Sequence, residues 1–232
     1  MARDWTAVIP VKRLSAAKSR LRGAVPAARH ADLALAMVRD TVAAVLAGAA
    51  VAELLVVTDD EVAAAAVAEL GARVVPDQPG ADLNAAMRFG ADEVAGLARF
   101  RAVLAGDLPA LRPGQLDAAL AAAELLPAPG SPDGAEDPGS GKGRSFVADA
   151  AGTGTVLLAA PPGRPLDPHF GLGSAVAHAT SGAAALSGEW PGLRQDVDTA
   201  ADLATVLELG TGPHTRALLR DLGLRVRRIP AA

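Results

Sequence analysis

"WTAVIPVKRLSAAKSRL" spans Trp5–Leu21, and its reading decides the fold. The apolar run Ala7–Val11 has the length of a buried strand, despite Pro10. It ends abruptly at Lys12 and Arg13, and Lys18 and Arg20 follow soon after. Solvated surface charge is the simpler account of these four cations taken one by one. Their crowding into one loop behind a buried strand favours another. In open α/β sheets, ligands bind beyond the carboxyl ends of the strands. A loop there carrying Lys and Arg, with the Ser15 and Ser19 hydroxyls, suits a polyphosphate.

The same alternation continues downstream. A helix is expected over 26–47, where Leu33, Met37, Val38, Val42 and Leu46 recur at helical spacing. "ELLVVTDD" (Glu53–Asp60) reads as a strand whose last residue caps a helix over 61–70. A third strand is expected at 72–77 and a helix at 82–97. A fourth strand begins at Arg101 and runs into "AGDLPAL", before a helix at 112–125. Strands alternating with helices imply parallel pairing and right-handed crossovers. Residues 127–144 then turn rich in Pro, Gly, Ser and Asp, the composition of a mobile loop. Its "GSGKGRS" is no phosphate-binding P-loop, because Glu136 and Gly143 stand where that pattern needs Gly and Ser or Thr. Strands at 145–148 and 155–160, helices at 174–187 and 200–209, and a last strand at 224–229 complete one domain over 1–232.

Composition excludes several functions. A formal net charge of −4 argues against general nucleic-acid binding. There is no cysteine, which removes disulfides, thiolate catalysis and Cys-based metal sites. The N-terminus has no signal-peptide pattern. The most apolar stretch, 33–57, is interrupted by Arg39, Asp40 and Glu53, which argues against a membrane span. A cytoplasmic location is the expectation.

Three further groups carry chemistry. Asp107 follows the fourth strand, where either a turn residue or a metal carboxylate would stand. Asp196 and Asp198 in "DVDTAADL" are two apart, so an extended backbone points both carboxylates the same way. Capping of the helix from Ala200 explains one of them but not both. Three hard oxygen donors with no His or Cys nearby suit Mg²⁺. Thr153 and Thr155 lie in the turn "GTGT", and "HFGLGSAVAH" (His169–His178) leads from Gly171 into a helix with Ser174 as its expected N-cap. A glycine-flanked helix start can receive an anion, though an ordinary capped helix has the same look. His30, His169, His178 and His214 show no metal spacing and read as surface or packing residues.

In this order, "IPVKRLSAAKSRL", "VVTDD", "GADLNAAM", "AGDLPAL", "GTGTVLLAAP", "FGLGSAVAH" and "LRQDVDTAADL" resemble the guanylyltransferases that make the side-chain precursor of coenzyme F-420. The resemblance spans nearly the whole chain. It implies an α/β, glycosyltransferase-A-like nucleotidyltransferase fold with a mostly parallel central sheet flanked by helices. The implied reaction joins GTP to phosphoenolpyruvate, giving enolpyruvyl-diphospho-guanosine and pyrophosphate. By motif, Asp107, Asp196 and Asp198 are the implied ligands of Mg²⁺, two ions being expected. Thr155, Gly171 and Ser174 are the implied phosphoenolpyruvate contacts. Lys12, Lys18 and Arg20 are the implied triphosphate clamp, and Asn84 an implied base or ribose contact. The same family includes enzymes acting on 2-phospho-L-lactate. Nucleotidyltransferases for a sugar phosphate or molybdopterin, and a catalytically dead nucleotide-binding regulator, are the wider alternatives. No nucleic acid or membrane partner is expected, and a homodimer is left open.

Overall fold

The structure is a computed structural model, which describes residues 4–16, 21, 25–77, 82–126 and 143–224. Lys18, Arg20, most of the 127–144 segment and the expected strand beyond Leu224 lie outside the described residues.

Trp5–Pro10 forms strand β1, with Pro10 at its last position. There the missing N–H costs nothing, because Val11 takes up the pairing with the Val57 carbonyl at 2.9 Å. Helix α1 is His30–Leu46, entered through a short 3₁₀ turn at Ala27–Arg29 rather than starting at residue 26. Val51–Val57 (β2), Glu61–Ala68 (α2) and Arg73–Val75 (β3) follow, and both β1 and β3 pair parallel with β2. Both faces of the central strands are covered. Ala7, Ile9, Leu54 and Val56 enter one core cluster, while Val8, Leu55 and Val57 enter another. This is the period-two division expected of a sandwiched parallel sheet.

The helix expected over 82–97 is two elements. Leu83–Arg88 is α-helical (α3), and Phe89–Val94 is a wider π-helical run. Gly90 sits in this run close to the sheet. A Cβ there would meet Val8 and Val57 side chains at 2.8 Å, so only glycine allows that approach. Phe100–Leu104 (β4) pairs parallel with the other side of β1, and Pro113–Leu125 (α4) follows.

Beyond this point the sheet changes direction. Ser145–Ala148 (β5) and Thr155–Ala160 (β6) are antiparallel neighbours, and β6 is antiparallel to β4. Ser174–Thr180 is α5, which ends well short of residue 187 at a Gly182 with φ 87°. Ala184–Ala185 then forms a short edge strand, β7. The sheet order is β3-β2-β1-β4-β6-β5-β7, and four of its six pairings are parallel, so "mostly parallel" holds. Pro191–Arg194 (α6), Ala200–Leu209 (α7) and Pro213–Asp221 (α8) close the described chain. Asp40 of α1 fixes α8, accepting from the His214 and Thr215 amides at 2.9 and 2.8 Å.

Because β6 runs against β4, its first residue lies at the carboxyl edge of the parallel strands. The Ala105 amide donates to the Val156 carbonyl there at 2.9 Å. Thr155 and the segment leading to Asp107 therefore share one rim.

Candidate active site

The first wall of the rim is the loop after β1. The Asp60 carboxylate organises it, accepting from Leu14 at 2.9 Å and from Val62 and Ala63 at the start of α2. Burial works to raise the Asp60 pKa. The Ala63, Leu14 and Val62 amides and the Arg13 charge outweigh it and hold the carboxyl below its ordinary value. Lys12 is exposed on this loop.

The floor is acidic. Gly106 brings the β4 edge against β1, since a Cβ there would stand 3.2 Å from Ile9. Thr41 of α1 then accepts from the Leu108 amide at 3.0 Å and fixes the backbone just beyond Asp107. Val197 is fully buried in a core cluster with Leu203 and Val206. Its anchoring gives the flanking Asp196 and Asp198 a common outward side. Thr199, not Asp198, caps α7, in a reciprocal pair with Asp202. Arg194 ties this segment to the end of β5 by donating to the Ala148 and Asp149 carbonyls at 3.1 and 2.9 Å. Burial pushes the Asp196 carboxyl up to about 7, reinforced by the charges of Asp107, Asp198 and Asp149.

That crowding is a test of the expected metal. Among the described residues no three His, Asp or Glu side chains are gathered closely enough to hold an ion by themselves. Mg²⁺ rarely asks for that, since it uses one or two carboxylates and takes its remaining oxygens from substrate phosphates and water. Mutually repelling carboxylates, one of them half-neutralised near pH 7, supply the donor type and the negative charge such an ion needs. The residues fit.

The second wall is built around "GTGT". Asp149 accepts from Thr153 and Gly154, both at 2.9 Å, and a Cβ on Gly154 would collide with it at 2.4 Å. The Thr153 carbonyl accepts from the Ala175 amide at 3.1 Å, joining this turn to α5. Ser174 is the first residue of α5 and is buried. The N-cap expected of it belongs to Gly173, at φ 72°. Gly171, at φ 136°, and Gly173 let the chain turn sharply on either side of exposed Leu172.

A family model for "Guanylyl transferase CofC like" proteins matches residues 5–136. The chain belongs to that family. It is 56% identical to a phosphoenolpyruvate guanylyltransferase of Salinispora arenicola over 218 residues, 94% of each chain. It is 52% identical to one of Geodermatophilus obscurus, again over 94% of both. A solved structure from Desulfovibrio desulfuricans G20, classed with nucleotide-diphospho-sugar transferases, superposes with a TM-score of 0.65. Its 18% identity over 96% of both chains makes the likeness one of fold alone.

Within this guanylyl transferase, the structure draws Asp107, Asp196 and Asp198 into mutual electrostatic reach, and places Thr155 and Ser174 on the adjoining wall. The Asn84 amide is engaged within the protein. Its Nδ2 donates to the Phe170 carbonyl at 3.0 Å and its Oδ1 accepts from the Phe170 amide at 2.7 Å. One side chain thus grips both backbone groups of the residue before Gly171. Asn84→Ala is therefore expected to raise KM for the acceptor by about tenfold, the worth of one or two hydrogen bonds, with KM for the nucleotide nearly unchanged. Steady-state titration of each substrate checks this, and the reverse pattern would return Asn84 to a base or ribose contact.

Residues missed at the level of sequence are Asp149, Arg194 and His178. Asp149 acts by holding the Thr153 and Gly154 amides, and Arg194 by donating to the Ala148 and Asp149 carbonyls. His178 is fully buried, with its ring 2.9 Å from the Thr155 hydroxyl. The partners are 23 residues apart in sequence, so no local spacing could have announced them.

Proposed function

We propose that the chain is a phosphoenolpyruvate guanylyltransferase, transferring GMP from GTP to phosphoenolpyruvate with release of pyrophosphate, in the biosynthesis of coenzyme F-420. The observation that carries this is 56% identity, over 94% of each chain, with a relative named for that activity. The site's chemistry agrees with it.

A phosphate monoester is largely dianionic at neutral pH and needs no general base. Its oxygen attacks the α-phosphorus of GTP, and the bond from that phosphorus to the β-bridging oxygen breaks. The difficulty is bringing two anions together. Asp107, Asp196 and Asp198 would hold Mg²⁺, whose contribution is to neutralise and polarise phosphoryl oxygens. Lys12, together with Lys18 and Arg20, would meet the triphosphate and the charge growing on departing pyrophosphate. Thr155, Gly171 and Ser174 would seat the acceptor. Positioning and charge stabilisation thus carry the rate.

The test is pyrophosphate release with GTP or ATP against phosphoenolpyruvate, 2-phospho-L-lactate and 3-phosphoglycerate, with and without Mg²⁺. Magnesium-dependent release with GTP and phosphoenolpyruvate is expected. Faster turnover of phospholactate would reassign the acceptor, and no release with any pair would reduce the chain to a nucleotide binder.

A further inference from the structure

We infer that His178 is a positioning residue that fixes the direction of the Thr155 hydroxyl, so that Thr155 presents its proton, rather than a lone pair, to the anionic acceptor. The inference rests on the proposed acceptor role of Thr155.

One donor beside His178 has no choice of role. The His169 backbone N–H lies 2.9 Å from His178 Nε2. An amide can only donate, so Nε2 must be the bare, accepting nitrogen. His178 is fully buried. Burial, followed by the charges of His169 and Arg144, pushes its pKa down to about 4, against the opposing pull of Asp167 and the Ser174 carbonyl. The ring is therefore neutral in ordinary buffer, and its single proton sits on Nδ1. Nδ1 lies 2.9 Å from Thr155 Oγ1. A protonated Nδ1 donates, so Oγ1 accepts, and the hydroxyl hydrogen must turn away from the ring.

The opposite tautomer would make Thr155 the donor to His178 and leave lone pairs facing the substrate. Against a phosphate or carboxylate, that arrangement repels. The backbone of the loop thus decides the polarity of a side chain across the site. The same imidazole also braces the loop: the Phe170 ring packs edge-on against it, with centroids 5.0 Å apart. With Asn84 holding the Phe170 backbone, two consecutive residues before Gly171 are each held by a side chain from another element.

Two measurements test this. The first needs no substrate: nitrogen-15 shifts of the His178 ring in the intact protein. A protonated Nδ1 with a bare Nε2 at pH 7.5 is expected, and the reverse pattern would overturn the inference. The second is a double-mutant cycle in acceptor KM. Thr155→Val and His178→Gln are each expected to raise KM for phosphoenolpyruvate about tenfold with little change for GTP, and the double variant to be no worse than either. Gln keeps an acceptor near the Nε2 position but loses the Nδ1 donor. His178→Asn, which keeps a donor near Nδ1, should lie closer to wild type. Additive effects would mean that His178 acts on loop structure rather than through Thr155, and would overturn the inference. An unchanged KM in Thr155→Val with the expected tautomer would overturn it at its base, the acceptor reading, while leaving the geometry of the bond intact.

Discussion

Asp196→Asn is expected to make the metal-free protein more stable at pH 8 while lowering turnover by about three orders of magnitude, roughly 4 kcal/mol of transition-state stabilisation. The two effects have one origin. The Asp196 carboxyl has its pKa raised from 3.8 to about 7, first by burial and then by Asp107, Asp198 and Asp149. Between those values the folded protein keeps a proton that the unfolded chain has released. Stability from this group is therefore full at low pH, falls as pH rises from about 4 to about 7, and stays low above that. Asn carries no charge to repel, so it removes the penalty, on the order of 2 to 4 kcal/mol. It also removes a hard anionic ligand. Mg²⁺ should then raise the melting temperature of wild type more at pH 8 than at pH 5, and that of Asp196→Asn little at either. Melting curves at both pH values check this. A variant that is no more stable than wild type at pH 8, or that keeps its turnover, would contradict it.

Arg101→Met should cost about 3–5 kcal/mol of stability, the range for stripping one partner from a buried ion pair. Arg101 is fully buried in β4 and donates to Asp92 at 2.8 Å. It also donates to the Pro161 carbonyl at 3.0 Å and to that of Arg164. Asp92, in the π-helical run after α3, accepts from the Leu166 amide at 3.1 Å. The pair thus fastens the segment after β6 that leads to His169 and Gly171. Methionine fills much of the space but leaves the largely buried Asp92 without its cation, and takes the guanidinium from the Arg99, Pro161 and Arg164 carbonyls, of which Pro161 keeps a backbone donor, the Arg164 amide. Urea midpoints measure the loss. A loss below about 1 kcal/mol would give the pair the weight of a surface contact.

The parallel half of the fold was legible because its signals are local. Apolar runs such as Ala7–Val11 and caps such as Asp60 announce themselves within a few residues; the structure has the strand at Trp5–Pro10, shifted toward the N-terminus, and Asp60 as the cap. The reversal at β6 was not legible, since nothing in "GTGTVLLAA" distinguishes an antiparallel strand from a parallel one. Helix α8 was overlooked although Pro213 opens it and Leu219 anchors it, because its polar face dilutes the apolar pattern. The shortened α5 follows from Gly182, a stop signal that the apolar run Ala183–Leu186 masked. At the site, aspartates that do their own chemistry were visible singly. Asn84 and His178 act through partners distant in the chain, and only the folded arrangement brings those partners to them.

In the proposed reaction the guanylyl group of GTP passes to the phosphate of phosphoenolpyruvate, and pyrophosphate leaves. Phosphorus-31 spectra of the two substrates with the enzyme and Mg²⁺ test it most directly. The monoester signal of phosphoenolpyruvate and the three signals of GTP should decline together, while a coupled diphosphate pair and pyrophosphate grow in equal amounts. GTP loss that yields orthophosphate or GDP, with the phosphoenolpyruvate signal unchanged, would contradict it.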